Sequence, residues 1–86
     1  MDLINDKDIL LSNVSLIHST PMGINRIKKN LNIGYFDVVL YCKNIILDKR
    51  CHIKRRGKNW YCELDDIIIT INANSYTIIT AHLIKR

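Results

Sequence analysis

The chain reads as an α+β protein: about three N-terminal helices packed on a four-stranded antiparallel β-meander, in a single domain covering residues 1–86. Three observations predict this. Apolar residues at helical spacing are confined to the first half of the chain. The second half alternates apolar and polar residues in short runs joined by links of hairpin length. At 86 residues there is room for only one core. With 48% apolar residues, the composition suits a folded globule rather than a disordered chain, although the core will be thin.

The first helix is expected over residues 6–18, with Ile9, Leu10, Val14 and Ile17 near helical spacing and Leu16 beside them. The segment His18–Gly23 interrupts it. Thr20 followed by Pro21 is an N-cap and first-turn pair, so a second helix should run from Pro21 to about Asn32. Ile24, Ile27 and Leu31 would face inward, and Gly34 would supply the stop. Asp37 caps a third helix, with Phe36 and Tyr41 placed as a hydrophobic staple. Its inward residues would be Val38, Val39, Cys42, Ile45 and Ile46.

Four strands follow at about 51–56, 59–64, 67–73 and 75–84. Gly57-Lys58, Asp65-Asp66 and Ala73-Asn74 serve as the links. Side chains alternate across a strand. One parity collects Trp60, Cys62, Leu64, Ile67, Ile69, Ile71, Thr77, Ile79, Ala81 and Leu83, an apolar face for the helices to cover. The other begins with His52, Lys54 and Arg56 and continues through Asn59, Tyr61 and Glu63. It then takes Ile68, Thr70, Asn72, Tyr76, Ile78, Thr80, His82 and Ile84. That face is polar and mostly cationic. Strand 51–56 fits an edge position, where charge is expected in any case.

The net charge of +5 is one-sided. Residues 1–48 hold five Lys/Arg and five Asp/Glu, whereas residues 49–86 hold eight and three. Such an excess points to an anionic partner, RNA or another polyanion, and equally describes a solvated basic face. The three cysteines, Cys42, Cys51 and Cys62, have no spacing of a zinc site and read as small buried hydrophobes. No metal or cofactor is expected. A polar N-terminus without a signal peptide, and apolar runs too short for a membrane span, lead to the expectation of a cytoplasmic protein with reduced thiols and no membrane partner.

These residue types suit a small nucleic-acid-acting protein, in its most concrete form a metal-independent ribonuclease of the toxin type. RNA cleavage without metal needs a base for the 2′-hydroxyl, an acid for the leaving oxygen and cations for the charge on phosphorus. His18 and His82 are the proton-transfer candidates. Arg26, Lys54, Arg56 and Lys58 are the candidates for phosphate, Tyr61 for stacking on bases, and Tyr76 and Thr80 for orientation. The alternative is a non-catalytic binding or inhibitor module, phage-type or regulatory, whose basic sheet face takes a nucleoprotein or an acidic protein partner.

The stretches HSTPMGINRIKKNL, RRGKNWYCELDD and ITINANSYTIITAH resemble a group of small bacterial proteins, domain of unknown function family 3781. The resemblance runs from His18 to His82 and implies no activity. It does single out His18, Thr20, Arg26, Lys58, Trp60, Tyr76, Thr77 and His82. At the level of fold, the order of elements is similar to ribonuclease toxins of the RelE, barnase and colicin type, which implies an open sheet face as the working surface.

Overall fold

The computed structural model describes residues 6–34 and 37–84, so the staple expected of Phe36 lies outside the described residues. Helix α1 (Asp6–Ser12) is shorter than the apolar spacing suggests. The Asn13 side-chain amide donates to the Ile9 carbonyl at 2.8 Å and satisfies one of the helix's terminal acceptors. One 3-10 turn, Val14–Leu16, follows and re-aims the chain. As a result Leu10 and Ile17 are buried, while Ile9 and Leu16 are left exposed.

Helix α2 (Pro21–Leu31) starts where the capping residues require. The Gly23 N–H donates to Thr20 Oγ1 at 3.0 Å, and Pro21 occupies the first turn. A Cβ at position 23 would lie 2.5 Å from Ser19 Oγ, so glycine lets that hydroxyl approach closely, and a larger residue would force it to rotate away. The helix ends near Asn32, as expected, but the left-handed stop is Asn32 itself rather than Gly34. Asn32 takes the left-handed conformation (φ 55°), and its N–H reaches the carbonyls of Lys28 and Lys29. Asparagine is the residue after glycine that tolerates this conformation best. Helix α3 (Val38–Leu47) is capped by Asp37, whose Oδ1 accepts from the Leu40 N–H at 2.9 Å. It buries Val38, Cys42 and Ile46 at a spacing of four, with Val39 and Ile45 packed at the margin.

The strands β1 (His52–Arg56), β2 (Asn59–Leu64), β3 (Ile67–Asn72) and β4 (Ile78–Leu83) form one antiparallel sheet in sequence order. The first two links are the expected tight ones, with Gly57 and Asp65 at positive φ. The third is wider, because β4 begins at Ile78 rather than near residue 75. Asn72 Oδ1 organises this turn by accepting from the Asn74 and Ser75 N–H groups, both at 2.9 Å. Tyr76 then takes φ 60°.

That turn and a bulge overturn the face assignment around the start of β4. Thr70 pairs with Thr80, but Ile71 pairs with Ile78, which leaves Ile79 as the extra residue. Ile78 is therefore buried, at 2% exposure, whereas Ile79 is 44% exposed. Tyr76 packs against the core rather than lying on the polar face. Strict alternation assigns all three the other way, because one inserted residue exchanges the faces on either side of it.

The helices cover one face of the sheet: α1 packs on β1, α3 on β2, and α2 on β4 and α3. Between the layers, Trp60, Cys62, Ile69, Ile71, Ile78 and Ala81 meet Leu10, Ile17, Ile27, Leu31, Val38, Cys42 and Ile46. Full burial of a Val, Leu or Ile side chain among them stabilises by about 1.5–3 kcal/mol. Trp60 is a core residue, as its parity predicts, and the Arg55 guanidinium carbon lies 5.3 Å from its ring centroid. Among the described residues, no helix is long and apolar enough to cross a membrane.

Candidate ligand-binding face

The pairing register arranges the other face of the sheet into rows that run across the strands. The first row is His52, Glu63, Ile68 and His82. The second is Lys54, Tyr61, Thr70 and Thr80. The third is Arg56, Asn59 and Asn72, with Thr77 beside Asn72 through an Asn72 N–H to Thr77 carbonyl bond of 2.9 Å. His18 extends this row by a parallel bridge to Thr77. His52, Lys54, Arg56 and His82 are exposed, whereas Thr70, in the middle, is buried by its neighbours.

Over β1 and β2 this face forms a groove of about 370 Å³, lined by His52, Lys54, Arg56, Tyr61, Glu63 and Ile68. Its cations stand on one strand at alternate positions, so neighbouring ones are about 6.6 Å apart along β1. Arg55, between them, points to the other side and donates from Nε to the Gly57 carbonyl at 3.0 Å. Glu63 is the carboxylate of the groove and sits directly across from His52. Tyr61 lies across from Lys54, and its hydroxyl is 3.4 Å from Asn59 Nδ2. A second groove of about 410 Å³, at the turn end of the sheet, is lined by Arg55, Lys58, Asn72, Ala73 and Asn74.

The structure thus brings Lys54, Arg56 and Tyr61 together, with Thr80 and His82 further along the same face. Lys58 belongs to the second groove. Arg26 is exposed on α2, in the helical layer, and Tyr76 is turned toward the core. His18 and His82 are not brought together. His18 pairs with Thr77, and His82 lies five residues further on, about 15 Å along the strand. His52 and Glu63 are the residues that reasoning from sequence passed over as a site. Both fall on the polar parity, but only the register shows that they face one another.

The three thiols lie in the core, away from this face. Burial pushes Cys42 up to about 12. Cys62 is also raised, first by its hydrogen bond with Cys51 and then by burial, and the same bond lowers Cys51. Among the described residues, no group of three or more His, Cys, Asp or Glu side chains could hold a metal ion.

No curated protein and no solved structure matches the chain. A family model does match, over residues 11–82, and that span takes in α2, α3, the sheet as far as His82 and every residue of the groove. The chain belongs to the family described as "Protein of unknown function (DUF3781)".

Proposed function

We propose that the open face binds single-stranded RNA, with the phosphate backbone following β1. The observation that carries this reading is the groove itself. Lys54 and Arg56 enter it from alternate positions of one strand, with Tyr61 beside them as a stacking surface. Their separation of about 6.6 Å along the strand suits successive phosphates of an extended chain. The groove volume falls in the range of about 300–1,000 Å³ typical of ligand clefts. Glu63 favours RNA over DNA as the ligand. A carboxylate repels phosphate but accepts a hydrogen bond from a ribose 2′-hydroxyl, which DNA lacks.

Fluorescence anisotropy with a labelled 12-nucleotide RNA, titrated at several salt concentrations, tests this. Affinity should fall as salt rises, and each of Lys54→Ala and Arg56→Ala should lower the log–log slope by about 0.7. The DNA of the same sequence should bind more weakly. If the wild-type protein does not bind RNA at low salt, or if both variants bind like wild type, the reading is wrong and an acidic protein partner becomes the alternative to pursue.

A further inference from the structure

We infer that the groove is also a metal-independent RNA-cleaving centre, with Glu63 as the base and His52 as the acid. This rests on the reading that the face binds RNA. The two residues are register partners on adjacent strands, and both line the groove that holds Lys54 and Arg56. Directly opposed side chains have Cβ atoms about 5 Å apart. Their functional groups extend a few bonds further and can stand on two sides of one phosphodiester. His82 shares their row but lies two strands from Glu63, about 10 Å across the sheet. His18 lies further still, beyond the outer edge of β4, with both ring nitrogens in hydrogen bonds.

The chemistry balances without metal, redox partner or covalent enzyme intermediate. Glu63 takes the proton from a ribose 2′-hydroxyl, and the 2′-oxygen attacks the adjacent phosphorus. The bond from phosphorus to the 5′-oxygen breaks, and His52 gives its proton to that leaving oxygen. Lys54 and Arg56 offset the negative charge that builds on the phosphoryl oxygens. The products are a 2′,3′-cyclic phosphate and a 5′-hydroxyl end. Glu63 sits inside the groove on a central strand, where a 2′-hydroxyl can reach it, while His52 stands exposed on the edge strand and can be reprotonated from solvent.

The experiment uses a 5′-labelled 12-nucleotide RNA in EDTA at low salt, with the full-length protein and its Glu63→Gln, His52→Gln and His82→Ala variants. A 2′-fluoro oligonucleotide, which cannot form the cyclic product, measures binding in parallel. All three changes lie on the solvent side of the sheet, and thermal melts confirm that each variant folds. Cleavage to cyclic-phosphate ends should persist in EDTA and fall by about 10²-fold or more in Glu63→Gln and His52→Gln. Binding of the 2′-fluoro strand should change by less than about threefold in His52→Gln, and His82→Ala should cleave at the wild-type rate. RNA bound but left intact would overturn the cleavage inference and leave the binding reading standing. So would cleavage that both variants retain, or that only His82→Ala loses. Failure to bind either strand would overturn both.

Discussion

His18 Nε2 lies 3.1 Å from the Thr77 hydroxyl, while the ring's Nδ1 lies 2.9 Å from the Leu16 carbonyl. A carbonyl can only accept, so Nδ1 carries a proton. In the neutral ring Nε2 is then the acceptor, and Thr77 donates to it. Ser75 Oγ stands 2.8 Å from the same threonine hydroxyl. Backbone bonds reinforce the link: the His18 N–H donates to the Tyr76 carbonyl at 3.1 Å, and the Ile78 N–H to the His18 carbonyl at 2.8 Å. The pair therefore fastens the lead-in of α2 to the start of β4.

Two outcomes follow for this pair. Nitrogen-15 NMR of the neutral imidazole should find the Nδ1–H tautomer at His18, and an Nε2–H pattern would contradict the geometry. Thr77→Val should cost about 0.5–1.5 kcal/mol, the net value of one hydrogen bond, measured by urea denaturation.

The bulge on β4 makes a sharper test. Ile78→Ala should destabilise by about 2–5 kcal/mol, because it leaves a cavity in the core. Ile79→Ala should stay within about 0.5 kcal/mol of wild type, since that side chain is 44% exposed. Strict alternation along the strand demands the opposite order. Equal losses at the two positions would place both residues in the core and remove the bulge.

The contrast shows what the sequence could and could not reveal. The α+β order, the caps at Thr20 and Asp37, the two tight turns and the polar face of β1 and β2 were all legible, because each is set by local spacing or by one residue's chemistry. The parity of Tyr76, Ile78 and Ile79 was not, because it depends on a bulge set by pairing with β3. The end of α2 near Asn32 was legible too, but the capping residue was not: glycine is the commoner signal, and Gly34 lay two residues away, whereas Asn32 takes the left-handed cap. In the candidate site, Lys54, Arg56 and Tyr61 follow from alternation along single strands. The opposition of His52 and Glu63 is a relation between strands, which only the register displays.

Asp65 holds a positive φ of 54° in the turn between β2 and β3, a conformation that costs residues with a Cβ about 1–2 kcal/mol, and aspartate somewhat less. Asp65→Gly should raise stability by about 0.5 kcal/mol, and Asp65→Val should lower it by at least about 1 kcal/mol, because β-branching adds to the clash. Thermal melts of the three proteins should rank glycine above aspartate above valine. A valine variant as stable as wild type would mean that the turn does not hold this conformation.

The buried thiol of Cys42 gives the protein a stability that depends on pH in the alkaline range. Burial raises it from the ordinary value of about 9 to about 12 in the folded state. Below pH 9 the thiol is protonated in both folded and unfolded chains, so it does not make stability depend on pH. Between about 9 and 12 the unfolded chain has lost the proton and the folded chain keeps it, so the unfolded state binds fewer protons and stability falls as pH rises. The slope from this group is at most about −1.4 kcal/mol per pH unit. Cys62 is shifted in the same direction and adds to the fall, while Cys51, lowered by its hydrogen bond with Cys62, works against it just below pH 9. Urea denaturation from pH 8 to 10.5 under reducing conditions checks this, with Cys42→Ala as the comparison. The variant should be less stable at pH 8, because it leaves a cavity, but its stability should decline less steeply above pH 9. Curves that stay parallel across that range would show that Cys42 ionises alike in both states, and that its burial does not exclude the thiolate.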